Sequence, residues 1–121
     1  MKHLVGVLEG TTIRTTDELE FIMNTVAESE QFTVVARAFH QFQPMGATGV
    51  LVLAESHFSA HTYPEHQRVY VDVFCCNPQF NARRCSATLQ AAFGATSFQW
   101  SCIDRNPDVA QLQITQITTH I

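Results

Sequence analysis

The sequence predicts an α+β fold, a two-layer α/β sandwich in which a mainly antiparallel sheet carries two helices on one face. Three observations lead there. The chain has 121 residues, enough for a single domain (1–121) around one core. Only two segments show the apolar repeat of a helix, and each starts at a capping residue. The other apolar stretches are short, β-branched or aromatic, and separated by turn residues, which is how strands read. The resulting order is β-α-β-β-β-α-β with a weaker final strand. Helices set between runs of strands, rather than alternating with them, favour antiparallel pairing.

Taken in order, KHLVGVLEG is a short strand stopped at Gly10. Thr15 and Glu18 form a capping box, and Asp17 and Glu18 place acids in the first turn of the first helix. Leu19, Ile22, Met23 and Val26 then make one apolar stripe, and the helix is expected to end near Ser29. FTVVARAFH (32–40) reads as a strand and QPMGATG as a turn. GVLVLAESHFSAHT reads as one long extended segment bending near Glu55; YPEHQR turns the chain and VYVDVFCC is another strand. Asn77 and Pro78 read as the N-cap and first residue of the second helix. Its packed face is Cys85, Thr88, Leu89 and Ala92, and Gly94 stops it. TSFQWSCID alternates, with Phe98, Trp100 and Cys102 on one side, and QLQITQITTHI is a final strand or a tail. Both helices cover one sheet face. The other mixes Val, Phe, Tyr and Cys with polar residues and has no third helix to cover it, so a sheet-to-sheet homodimer is expected.

Composition narrows the function. Net charge is −4 and only 15% of residues are charged. Without a basic run to neutralise phosphates, nucleic acid is not an expected partner. No apolar run reaches the ~18 residues of a membrane span. MKHLVGVLEGTT lacks the apolar core and cleavage site of a secretion signal, so a reducing, cytoplasmic location is expected. The cysteines, at 75, 76, 85 and 102, match no zinc spacing, and no metal is expected. Of the basic residues, Lys2 is the only lysine; the rest are arginines at 14, 37, 68, 83, 84 and 105. A pyridoxal phosphate enzyme needs a framework lysine for its Schiff base, and a lysine at the second position is a poor candidate.

The chemistry-bearing stretch is AESHFSAHTYPE (54–65). A serine beside a histidine suggests a hydrolase, but no GxSxG elbow surrounds Ser56. Asp72 and Glu65 are both open as an orienting acid for His61. Read singly, Ser56 is an ordinary strand serine and Cys76 a small core residue. His57 adjoins Ser56 with either a local role or a packing one, and His40 and His66 read as structural or solvent-facing.

Together with VDVFCC (71–76), this stretch resembles the prokaryotic S-adenosylmethionine decarboxylases, whose pattern is close to ESH-x3-HTWPE followed by VD-[VI]-F-x-C. KHL, ELEFI, AFHQFQPMGATGV and the Asn-Pro helix start have counterparts at similar spacing, so the resemblance spans about residues 2–105. It implies a proenzyme that cuts itself between Glu55 and Ser56 into chains 1–55 and 56–121. Ser56 would become a pyruvoyl group, which forms the Schiff base with the substrate and replaces pyridoxal phosphate, consistent with the scarcity of lysine. It further implies Cys76 as the acid that protonates the substrate carbon, with Cys75 on the opposite side of the strand. His61 matches the processing histidine and Thr48 a processing hydroxyl. Glu65 matches a ribose-binding acid, and Phe42 and Tyr63 match aromatic positions near the nucleoside, suited to a sulfonium. The product would feed the aminopropyl branch of polyamine (spermidine) synthesis. Two departures stand out: the family usually has Ser where Thr48 stands, and Trp-x-x-YGYAA where Tyr63 and HQRVY stand. They leave slower processing, and ornithine or arginine as substrate, as alternatives. A non-catalytic regulatory homologue is a further one, though such a chain would be expected to lose Ser56 or Cys76.

Overall fold

The structure, a computed structural model, describes residues 1–120. The elements are β1 (Lys2–Glu9), α1 (Thr16–Ser29), β2 (Val34–Gln41), β3 (Ala47–Leu53), β4 (Ser56–Tyr63), a 3₁₀ turn (Pro64–His66), β5 (Arg68–Cys75), α2 (Ala82–Phe93), β6 (Ser97–Asp104) and β7 (Gln113–His120). The strands form one seven-stranded sheet in the order β2-β3-β4-β5-β1-β6-β7. Every neighbouring pair is antiparallel. Helix α1 packs on β2 and β3, and α2 on β1 and β6. This is the expected α+β sandwich.

Period-two alternation sorts each strand between two environments. Leu4 and Leu8 of β1, Leu51 of β3, Phe58 of β4, Val69 and Val73 of β5 and Phe98 of β6 are buried under the helices. The opposite face carries His3, Val50, His57, Ser59, His61 and Asp72, all partly exposed, with Val52 and Tyr70 over 40% exposed. The first helix matches its sequence signals. Glu18 N–H donates to Thr15 Oγ1 at 3.2 Å, and Leu19, Met23 and Val26 are buried.

Three features differ from the sequence expectation. The long segment is two strands: Ala54 and Glu55 reverse the chain, so four strands separate the helices rather than three. Two apolar runs can fold on one another across a two-residue turn, and pattern alone does not separate that from a bend. The second helix starts four residues late. Asn77 instead makes a local turn, accepting from Gln79 N–H at 2.9 Å, and Asn81 is the cap, accepting from Arg84 N–H at 3.0 Å. The helix's buried stripe is correspondingly rotated: Cys85 and Leu89 are joined by Ser86, Gln90 and Phe93 rather than by Thr88 and Ala92. Of the two readings open for the final segment, strand or tail, the structure shows the strand, paired along its length with β6.

Candidate active site

Ser56 begins β4, immediately after the Ala54–Glu55 turn. Three bonds hold this turn. Ala54 N–H donates to the Thr33 carbonyl at 2.9 Å, Thr33 N–H donates to Glu55 Oε1 at 3.0 Å, and Cys76 N–H donates to the Glu55 carbonyl at 2.9 Å. Ser56 itself has φ +146°. A side chain there costs on the order of 1–3 kcal/mol and persists only where the surroundings impose it. The Glu55–Ser56 peptide therefore has a strained residue on one side and a fixed donor on its carbonyl, which is what a developing oxyanion needs.

Cys75 pairs in register with Ser56 and is 2% exposed, whereas Cys76 has left the strand and is exposed. Burial pushes the thiols of Cys75, Cys85 and Cys102 up from their ordinary value. The two adjacent cysteines thus differ in environment, but because Cys76 lies past the end of β5 rather than on its opposite face. A cleft beside the turn is lined by Glu30, Phe32, Glu55, Cys75 and Phe80. Glu30, which sequence reading missed, has a side chain 1% exposed that accepts from Thr88 Oγ1 at 2.9 Å and lies 3.7 Å from Arg84 Nε. As a lone acid at the end of a helix, it gave no motif signal.

The other candidates gather at the far end of the same strand. His61 Nδ1 lies 2.6 Å from Thr48 Oγ1. The Phe42 ring stands edge-on to His61, with centroids 5.5 Å apart. Phe42, His61, Tyr63 and Glu65 line one cleft with Pro44 and Gly46. Tyr63 stacks on His66 at 4.7 Å, and His40 lies edge-on to Phe42 at 4.8 Å, so both of these histidines border the cleft aromatics. Five residues of strand separate Ser56 from His61, about 17 Å at the usual rise. Register agrees: Thr48 pairs with His61, while Ser56 pairs with Leu53. One chain thus holds two candidate half-sites, Ser56 with Cys76 and His61 with Thr48, Phe42, Tyr63 and Glu65, and does not bring them together.

Asp72 belongs to neither half and does not orient His61. His3 Nε2 and His57 Nε2 each lie 2.8 Å from its Oδ2, and Ser59 Oγ donates to its Oδ1. Burial alone raises its pKa; the hydrogen bonds from Ser59, His3 and His57 outweigh that and hold the carboxyl below its usual range. Ser59, His3 and His57 all bind the acid rather than each other, so this cluster is not a serine–histidine nucleophile pair. This cluster, too, was missed, because its members lie on three strands far apart in sequence.

No helix among the described residues is long and apolar enough to cross a membrane. The family profile described as S-adenosylmethionine decarboxylase matches residues 2–106. Among similar proteins named S-adenosylmethionine decarboxylase proenzyme, one from Clostridium botulinum is 35% identical over 91 residues, 73% of this chain and 78% of its own. One from Hydrogenobaculum sp. is 33% identical over 106 residues (85% and 79%), and one from Picrophilus torridus 30% over 112 (90% and 86%). The crystal structure of the adenosylmethionine decarboxylase from Aquifex aeolicus superposes with a TM-score of 0.80 at 27% identity, covering 91% of this chain and 93% of that one. With the profile spanning all but the last strand, and the fold and the Glu55–Ser56 turn as described, the chain belongs to the S-adenosylmethionine decarboxylase family.

Proposed function

We propose that the chain is a self-processing, pyruvoyl-dependent decarboxylase of S-adenosylmethionine, working in the cytoplasm as a homodimer whose product serves spermidine synthesis. The observation that carries the processing step is the Glu55–Ser56 turn. The Ser56 hydroxyl attacks the Glu55 carbonyl, whose oxygen already accepts from Cys76 N–H. The peptide becomes an ester. β-Elimination releases residues 1–55 as a free acid, and hydrolysis of the remaining dehydroalanine expels ammonia and leaves a ketone at position 56. This ketone supplies the electron sink that decarboxylation needs. Strain at Ser56 favours the cut, since breaking the chain there relieves it.

The dimer follows from the half-sites. A hydroxyl and its base must come within about 3 Å, and here one strand holds them about 17 Å apart. Pairing two sheets by their helix-free faces about a two-fold axis sets one chain's Ser56 end beside its partner's His61 end. It also covers Val50, Val52 and Tyr70, which the chain leaves open. In the joined site His61 and Thr48 move the processing proton, Cys76 donates a proton to the substrate carbon, Glu65 takes the ribose hydroxyls, and Phe42 offers its face to the sulfonium.

One observation favours a second reading, an ornithine or arginine decarboxylase. Tyr63 stacks on the chain's own His66 with planes 26° apart, so that face is not free for a base. Intact mass of the denatured protein tests processing: two species are expected, broken after Glu55, the second lacking the ammonia of a serine-started chain. CO₂ release from labelled S-adenosylmethionine, ornithine and arginine then tests the substrate. A single uncut species would sink the processing reading, and release only from ornithine or arginine the first substrate.

A further inference from the structure

The His3–His57–Asp72 cluster lies outside both half-sites. Its three residues come from β1, β4 and β5, which are neighbours in the sheet, and all face away from the helices. Both imidazoles aim Nε2 at the same carboxylate oxygen, and the three ligand atoms lie within 4.8 Å of one another. Ser59 Oγ occupies the other oxygen, which leaves Oδ2 as the one turned to the histidines. We propose that these residues form a binding site for a divalent metal ion of the zinc type.

Donor chemistry and geometry both support this. Two neutral imidazoles and one carboxylate suit a borderline cation such as Zn²⁺ or Co²⁺ and not a hard one such as Mg²⁺. With metal–ligand bonds of about 2.05 Å, neighbouring donors stand about 2.9 Å apart in octahedral and about 3.3 Å in tetrahedral coordination. The two N···O separations here are 2.8 Å, hydrogen-bond distances, and all three donor atoms lie within 4.8 Å of one another, so an ion enters by replacing those two hydrogen bonds as the side chains open around it. The strand ladders hold the three backbones in position, and Ser59 orients the carboxylate as an outer hydrogen bond to a ligand does. Asp72 lines a depression of the sheet face with Thr48, Ser59, His61 and Tyr70, where a water can complete the coordination and be enclosed when a second chain covers the face. An ion here ties β1, β4 and β5 together one residue from Ser56. Ser56 is not among the three donors, so the proposal does not rest on the chain being cut.

The test is Co²⁺ titration of the purified protein by visible absorption, followed by displacement with Zn²⁺. The wild type is expected to bind one ion per chain with a nitrogen–oxygen ligand-field band and no thiolate charge transfer. His3→Ala and His57→Ala, each checked for folding by circular dichroism, should weaken binding more than about 100-fold, and Ser59→Ala about tenfold. Zn²⁺ should raise the Tm of the wild type and not that of His3→Ala, which keeps the result readable if His57→Ala does not fold. The proposal is overturned by a folded wild type with no saturable band, by a thiolate charge-transfer band, or by equal affinity in wild type and His3→Ala.

Discussion

If processing is shared between two chains, a chain lacking Ser56 should cure a chain lacking His61. Ser56→Ala cannot cut itself, because it has no hydroxyl to attack Glu55. His61→Ala keeps the hydroxyl but loses the proton-transfer group, a loss of about 10²- to 10⁴-fold for general acid–base catalysis. Alone, each should remain one uncut species on the time scale in which the wild type is complete. Together in one dimer, the Ser56 of the His61→Ala chain meets the intact His61 of its partner. The separation sets the expectation: about 17 Å along β4 within one chain, against a reach of about 3 Å for proton transfer. With equal co-expression and random pairing, about half of the His61→Ala chains find a Ser56→Ala partner, so about half should be cut, and none of the Ser56→Ala chains. Distinct affinity tags and denatured intact mass score each chain separately. Mixed dimers recovered through both tags with both chains whole would refute the shared site. Cutting of His61→Ala on its own would refute the role of His61.

Three further outcomes can be checked directly. Iodoacetamide should modify exposed Cys76 first, since burial keeps Cys75, Cys85 and Cys102 protonated and covered, and decarboxylation should fall in step with that one adduct; peptide mass spectrometry reads the order. Asp72 is held below its usual range, so it contributes stability above about pH 4 that is lost as pH falls through its lower folded value. Asp72→Asn should be less stable at neutral pH and should show a flatter acid limb in urea unfolding followed against pH; an unchanged limb would contradict the assignment. Gly49→Ala should cost about 1–3 kcal/mol in urea unfolding, because the added methyl meets the Phe39 ring and lies 3.0 Å from Met23 Sδ; a variant as stable as wild type would show that this packing yields.

Local chemistry was legible in the sequence wherever it acts within a few residues. The Thr15 cap, the end of α1 at Ser29 and the stop at Gly94 all follow from short-range geometry, and all are observed. The cap of α2 lies at Asn81 rather than Asn77, because both residues suit a cap by short-range geometry alone and Asn77 instead closes a local turn before the buried Phe80. The fold class followed from the order and period of the segments, though a two-residue reversal at Ala54–Glu55 looks like a bend until its two runs are seen to pair.

What the sequence by itself determined is which side chains are candidates to carry chemistry: Ser56 after Glu55, His61 five residues on, Cys76 at the end of a strand, and one lysine, at position 2. What only the tertiary structure decided is which of these meet. Strand register put Thr48 on His61 and removed both from Ser56, and it brought residues 3, 57 and 72 onto one carboxylate oxygen. The physical reason is that an antiparallel sheet converts separation in sequence into position across strands. Five residues along one strand are far apart, while 69 residues between His3 and Asp72 shrink to a hydrogen bond.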